Sequence, residues 1–508
     1  MNLIQKASKA LMLLRNGGVA ALRVRLVTLR HKLKLRRQYQ KRIATKGAID
    51  RQSIQRQVSA FSRRPTISVV MPVYNVDEKW LRKCIDSVCS QIYENWELCI
   101  ADDASPGPHI RQVLDEYSAA DHRIKVVFRE TNGHISAASN SALELATGEF
   151  VVLLDHDDEL SADALFWVAT TIVEEPNITM IYSDEDLIDA NGKRSSPAFK
   201  PDWSRDLFYS LNLITHLSAY KTDVLRSIGG FRVGMEGSQD YDLALRVIET
   251  IDETQIKHIP RILYHWRAIP GSVALSGDEK PYAHERARVA IREHFERTGK
   301  AASVEATELN LHRVRYTRTD KFGKVLVAII GSRDAVYDRL VDDSYDCEVV
   351  WFENDSKLEE ELDRAIKSSE SDVVCFMNSE IRSLPLGWLN DLVSFLEVPE
   401  IGAVGGKLVD TANRIVDGPL YLSNISGVHV ANEGLENTYN GNMLRNKVVG
   451  NYSAVSLSLM AIRRSDLLDT GVIGNESIDV SLLDGEICLR LSEIGKRIVS
   501  VPFVVGTV

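Results

Sequence analysis

The sequence predicts an α/β protein: a doubly wound sheet domain, a second and altered version of it, and a basic helical arm in front. Three observations carry this. From residue 65 to 154, short apolar runs alternate with stretches of helical spacing, the pattern of a sheet covered on both faces. Several runs of the second half echo runs of the first. Residues 1–64 hold 17 Lys and Arg against one acid, Asp50, although the 508-residue chain has a net charge of −10. That length exceeds one ordinary domain. The boundaries read as an arm over 1–64, a first domain over 65–300, a linker over 301–322 and a second domain over 323–508.

In the arm, "KALMLLRNGGVAALRVRLVTLRHKLKLRRQYQKR" (9–42) interleaves Leu, Val and Ala with Arg and Lys. Arg15, Arg23, Arg25 and Arg30 interrupt every run that could span a membrane or serve as a secretory signal. A basic amphipathic segment suits an anionic membrane surface; a solvated helix and nucleic acid are the alternatives, and we expect the membrane rather than nucleic acid. The six cysteines form no CxxC pair, which fits buried thiols in a reducing, cytoplasmic compartment. The arm would then hold the protein peripherally at the inner face of the cytoplasmic membrane.

In the first domain, "ISVVM" (67–71) reads as a buried strand meeting Pro72, and Leu81, Cys84, Ile85, Val88 and Ile92 mark a helix. "WELCIA" (96–101) is a second strand, a helix covers roughly 109–120, "IKVVF" (124–128) is a third strand, 135–147 is helical, and "EFVVLL" (149–154) is the fourth strand. Three strands end in polar loops: Tyr74-Asn75, Asp102-Asp103 and Asp155-His156-Asp157. Ligands of such sheets bind beyond the carboxyl ends of the strands. No glycine-rich phosphate loop follows the first strand, so a diphosphate would be carried by Mn²⁺ or Mg²⁺ on the carboxylates of "VVLLDHDDEL".

"ISVVMPVYN", "LCIADDAS", "NGHISAASNSAL", "FVVLLDHDDEL" and "GSQDYDLALR" together resemble the inverting family 2 glycosyltransferases of GT-A type fold, in particular bacterial enzymes of O-antigen and capsule assembly. The resemblance covers about residues 65–300. It implies that Asp155 and Asp157 form the DxD motif at the metal, Asp155 lying near the ribose or the metal. It implies that Tyr74, Asn75, Asp102 and Asp103 contact the nucleoside, and that Arg129, Asn132, Gly133 and His134 line the donor pocket. It makes Asp240 of the "QD" pair the general base, with Gln239 beside it, and His265 a third metal ligand. Each residue also has a purely structural reading: Asp102-Asp103 as a helix cap, Arg129 paired with Glu130, Asp240 at a helix N-terminus, His265 as a core histidine.

The second half aligns "EVVWFENDS" (348–356) with "ELCIADDAS" (97–105), and "VVCFMNSE" (373–380) with "VVLLDHDD" (151–158). On that alignment Met377 answers Asp155, Ser379 answers Asp157, and a segment equivalent to the one holding Arg129 is missing. Asp484 survives opposite Asp240. The expected function is metal-dependent inverting transfer of a sugar from a nucleotide-sugar donor to a hydroxyl of a growing surface glycan, the oligosaccharide acceptor being polyprenyl-diphosphate-linked. The rival readings are a transferase with two active domains and a non-catalytic glycan-binding scaffold.

Overall fold

A computed structural model describes residues 3–45, 49–269, 281–307, 309–319, 321–332, 345–423, 427–474 and 482–508. The chain forms two compact units. One comprises Leu35–Trp203 with Asn212–Lys300; the other comprises the chain up to Lys34, Ser204–Leu211 and Ala301–Val508.

The helices of the N-terminal part are α1 (Leu3–Thr45), α2 (Arg51–Ser59), α3 (Glu78–Cys89), α4 (Pro108–Ala120), α5 (His134–Leu145), α6 (Ala164–Glu174), α7 (Gln239–Ile248) and α8 (Pro281–Arg297). The strands are β1 (Ile67–Val73), β2 (Trp96–Asp102), β3 (Ile124–Phe128), β4 (Phe150–Leu153), β5 (Glu159–Leu160), β6 (Met180–Asp189), β7 (Arg194–Ala198), β8 (Ser218–Lys221) and β9 (Ile256–Ala268). The expected alternation from β1 to β4 is present, with α3 started by the Asp77 carboxylate, which accepts from the Lys79 N–H. The sheet order is β3-β2-β1-β4-β8-β6-β9-β5, with β7 beside β6. β1 to β4 pair in parallel, whereas β8 runs antiparallel to both β4 and β6. The sheet is therefore mixed. Val69, Met71, Leu98, Ile100 and Val152 share one core with α3, α4 and α6. In this unit the end of α1 is docked, with Tyr39 buried against Asp186.

In the other unit, Thr28 of α1 is buried and its hydroxyl accepts from the Glu436 N–H at 2.9 Å. Much of the expected linker forms a hairpin of β10 (Ala302–Ala306) and β11 (His312–Tyr316). A second sheet contains β12 (Lys324–Ile330), β13 (Asp346–Phe352), β14 (Val373–Asn378), β15 (Ile401–Val409), β16 (Leu459–Arg463) and β17 (Arg497–Thr507). The helices α9 (Leu358–Ser368) and α10 (Leu483–Glu493) pack on it. Its order, β13-β12-β14-β16-β15-β17, repeats β2-β1-β4-β8-β6-β9, with the same antiparallel strand between the third and fifth positions.

The pairing corrects the sequence alignment by one residue. Ile67 pairs with Trp96 and Phe150; Val325, in the corresponding place, pairs with Cys347 and Val373. From the second strand to the fourth the offset between the copies falls from 251 (Cys347 against Trp96) to 223 (Val373 against Phe150), so 28 residues are missing, and among the described residues no strand stands in the place of β3. Asp155 is thus answered by Asn378 and Asp157 by Glu380, not by Met377 and Ser379. Two helical or strand periods cannot absorb such a slip, because one residue turns every side chain to the other face.

Candidate active site

The acid run of "VVLLDHDDEL" occupies the turn after β4. Asp155 has a side chain 46% exposed, while Asp158 is buried. The turn is pinned from several sides: the Asp158 N–H donates to the Asp155 carbonyl at 3.2 Å, and the His156 Nδ1 lies 3.0 Å from the Pro72 carbonyl. Tyr264 Oη donates to Asp158 Oδ2 (2.6 Å) and accepts from the Asp155 N–H (3.2 Å). Buried Arg267 donates its backbone N–H to Asp158 Oδ1 (2.6 Å) and its Nε to the Asp157 carbonyl (2.5 Å). Burial raises the pKa of both Asp157 and Asp158, and the neighbouring acids push in the same direction. A positive partner at this turn would relieve that repulsion.

Such a partner is built into the fold. Strand β6 buries three successive acids, and each meets a histidine: Asp184 meets His258 Nε2 at 3.0 Å, Glu185 meets His216 Nδ1 at 3.1 Å and Asp186 meets His265 Nδ1 at 2.6 Å. His216 enters just before β8, the strand paired with β4, so its Nε2 faces Asp155 Oδ2 at 3.8 Å. Burial alone would lower its pKa, but Glu185 and Asp155 outweigh burial and push it up to about 10. Without a cation the imidazole therefore carries a proton, and a bound metal would replace that proton. The side-chain donors of Asp155, Asp158 and His216 lie within 4.8 Å of one another.

Asp240 stands in the first turn of α7, and Asn212 Nδ2 donates to its Oδ2 at 2.8 Å. Burial raises its pKa, the charge of His216 draws it down and that of Asp155 lifts it further, which places all three in one electrostatic environment. Gln239 Oε1 accepts from the Gly237 N–H at 2.7 Å and so closes the preceding turn. Asp242 faces inward to Arg232 and Arg246.

The remaining site residues gather at the ends of β1, β2 and β3. Asp103 is buried and receives Arg129 Nε at 2.8 Å and the Gly133 N–H at 2.9 Å. Arg129 Nη1 also donates to Ser141 Oγ (2.6 Å), and Asn132 Nδ2 to the Asp103 carbonyl (3.1 Å). A Cβ on Gly133 would sit 2.6 Å from Arg129 Nη2 and 2.8 Å from Ala137 Cβ, so only glycine fits this approach. His134 begins α5 with its N–H 3.3 Å from Asn132 Oδ1. Asn75 adopts a positive φ of 46° and donates its N–H to Ser105 Oγ. Buried Asp102 has an Oδ1 without a hydrogen-bond partner, and Tyr74, one residue past its strand partner Val73, is exposed. An orphaned buried acceptor is costly and suits a ligand N–H.

The structure gathers the donors of Asp155, Asp158 and His216 beyond β4, a group that does not include the Asp157 carboxylate, and joins Asp103, Arg129, Asn132 and Gly133 at the ends of β2 and β3. His265 is placed against Asp186, which Tyr39 and Arg194 also engage. His216, Glu185, Lys200 and Asn212 were not singled out in the sequence. The signal was present in "MIYSDEDLID", a second buried strand running into acids, like the one that exposed Asp155.

The residues fit a divalent cation. Two donors each about 2.1 Å from an ion can be up to about 4.2 Å apart, and the Asp155 and His216 donors are 3.8 Å apart. A carboxylate with an imidazole whose other nitrogen is fixed is a ligand set for Mn²⁺ or Mg²⁺.

The sequence model described as "Glycosyl transferase family 2" matches residues 68–229. "Putative colanic acid biosynthesis glycosyl transferase WcaA" of Escherichia coli is 31% identical over 214 residues, covering 38% of this chain and 73% of that protein. The chain belongs to glycosyl transferase family 2. This family 2 chain is also 36% identical over 500 residues to "Uncharacterized protein y4gI" of Sinorhizobium fredii, covering 89% of the chain and 54% of that protein. It is 33% identical over 387 residues to "O-antigen biosynthesis protein RfbC" of Myxococcus xanthus, covering 70% of the chain and 30% of that protein. The family 2 chain thus spans about half the length, or less, of these two relatives.

Proposed function

We propose that this chain transfers a sugar from a nucleotide-sugar donor to a hydroxyl of a bacterial surface glycan, with inversion at the anomeric carbon. The observation that carries the reading is the group of Asp155, Asp158 and His216 donors beyond β4, with Asp240 held by Asn212 in the first turn of α7. Tyr74, Asn75 and the unpartnered oxygen of Asp102 take the nucleoside, and Arg129 with Asn132–His134 shapes the wall of the donor pocket. Asp155, Asp157 and His216 would hold a divalent cation, with His265 the alternative third ligand. When bound, that cation supplies charge neutralisation to the departing diphosphate.

Asp240 accepts the proton of the acceptor hydroxyl as its oxygen forms the new bond to the anomeric carbon. The bond from that carbon to the diphosphate oxygen breaks, and its electron pair leaves with the nucleoside diphosphate. Burial raises the basicity of Asp240 toward neutrality, where a general base is most effective. We infer one in-line displacement with no covalent intermediate. Two of the relatives are named for O-antigen and colanic acid biosynthesis, which favours a lipid-linked glycan acceptor. The test is incubation with a panel of nucleotide sugars and Mn²⁺, with and without glycan acceptors, and NMR of the product. We expect acceptor-dependent release of nucleotide and an anomeric configuration opposite to the donor's; retention, or release that ignores acceptors, would overturn the reading.

We also propose that α1 lies on an anionic membrane. No helix among the described residues is long and apolar enough to cross one. Leu26, Leu29 and Leu33 are 45%, 52% and 46% exposed, on one helical face, and Arg23, Arg30, Lys34 and Arg37 are exposed beside them. Each basic residue contributes about 1 kcal/mol at an anionic surface. Changing Arg23, Arg30 and Arg37 to Glu should weaken cosedimentation with phosphatidylserine vesicles on the order of 10²-fold, and unchanged sedimentation would refute the placement.

A further inference from the structure

Of the three buried acids on β6 that meet histidines, two are tied up elsewhere in the fold. His258 has its second nitrogen 3.2 Å from Asp202, and Asp186 is shared among His265, Arg194 and Tyr39. Glu185 differs. Its Oε2 meets His216 Nδ1 at 3.1 Å, Thr215 Oγ1 at 3.1 Å and Lys200 Nζ at 3.3 Å. Lys200 is itself buried, and its Nζ also donates to the His216 carbonyl at 2.5 Å. The imidazole stacks on Tyr264 with centroids 4.4 Å apart and planes at 19°, and it meets Trp266 at 5.2 Å. Backbone, ring face and Nδ1 are all held, and the Nε2 edge is turned to Asp155.

A buried lysine–glutamate pair is an expensive way to hold two loops together, since apolar residues of the same volume would serve as well. It becomes useful if the ring it grips must present one nitrogen in one direction. We infer that Lys200 and Glu185 are a positioning pair that fixes the plane and tautomer of His216, so that Nε2 is offered to a divalent cation shared with Asp155. Glu185 accepts a hydrogen bond from the Nδ1–H, which leaves Nε2 as the outward ligand atom, and the Lys200 amine holds the same carboxylate oxygen from the other side. The inference rests on the metal-dependent reading above and adds the residues that make His216 competent.

The test uses the full-length protein and Mn²⁺, alone and with UDP or dTDP. Free Mn²⁺ is followed by its EPR signal, and bound Mn²⁺ by electron spin-echo modulation from a coordinated imidazole nitrogen. We expect the nitrogen modulation to vanish in His216→Ala and persist in His265→Ala. Glu185→Gln and Lys200→Met should weaken Mn²⁺ binding about 10-fold or more, the usual cost of losing an outer partner of a ligating histidine. Should those two fail to fold, Thr215→Val removes one hydrogen bond from Glu185 and should weaken binding about 3-fold. Modulation that survives in His216→Ala overturns the inference. Wild-type affinity in Glu185→Gln, or in Thr215→Val if the former does not fold, overturns the positioning role and leaves metal dependence standing. Failure of the wild type to bind Mn²⁺ under any of these conditions overturns the metal-dependent reading itself.

Discussion

Strands β6 and β15 occupy the same place in their two sheets, and they have been filled with opposite chemistry. Met180 and Ala403 pair with equivalent residues of the neighbouring antiparallel strand, and the offset of 223 found between Phe150 and Val373 recurs between them. Asp184, Glu185 and Asp186 are therefore answered by Lys407, Leu408 and Val409. The histidines follow suit. By the same pairings Ser458 stands for His216, Ser500 for His258 and Thr507 for His265. Both strands are buried and both sheets keep their topology, so the backbone requires neither set. What differs is whether the strand must support a charged site at its end. Where it does, the fold buries three acids with their partners; where it does not, two aliphatics and one lysine suffice.

The largest effect that can break this comparison is removal of the acids after β4. Asp155→Ala with Asp157→Ala should abolish sugar transfer and Mn²⁺-dependent nucleotide binding, measured by product formation and calorimetry. Residual transfer in that protein would mean that the second sheet carries an active site of its own. Next comes the pair of acids in the first turns of α7 and α10. Asp240→Asn should keep donor binding and lower turnover by about 10²–10⁴-fold, whereas Asp484→Ala should leave the rate unchanged. A comparable loss in both would show that both sheets act in catalysis.

A smaller effect concerns stability. Lys407 is buried, its Nζ meets only Asn446 oxygens among the contacts described (3.0 and 3.2 Å), and burial, with Lys447 nearby, lowers its pKa to about 7. The folded state thus releases this proton near pH 7 and the unfolded state near pH 10.5. Between these values the unfolded chain binds more protons, so stability rises with pH across the window and is lost as pH falls toward 7. Lys407→Met should therefore raise the melting temperature by a few degrees at pH 6, equivalent to roughly 1 kcal/mol or more, with the gain shrinking by pH 9. A constant difference across that range would show that Lys407 is not the titrating group. The smallest expected effect is none: Asn378→Asp should create no Mn²⁺ site, because Ser458 stands where His216 would be needed.

Much of the first sheet could be read from its strands, because β1, β2, β3 and β4 are short, largely apolar runs followed by polar residues. Asp102-Asp103 was legible as a strand-end pair for the same reason, whereas Arg129 and Gly133 came from the family resemblance and their bonds to Asp103 from the fold. The antiparallel β8 was not: "SAYK" is too short and too mixed to declare itself. His216 was missed along with it, since its role depends on which strand lies beside β4. His265 was noticed for its aromatic neighbours, yet its Nδ1 partner comes from β6, which the sequence places far away. Met377 and Ser379 were matched by resemblance of letters, and only the hydrogen-bonded register could show that Asn378 and Glu380 hold those places.

The absence of any counterpart to β3 has a consequence of a different kind from the exchange of single side chains. A lost carboxylate can return by one codon change. Twenty-eight residues that carried a helix, a strand and the loop gripping Arg129 cannot. A second sheet without that segment would lack the wall that Arg129 and Gly133 form in the first, whichever side chains fill its remaining positions.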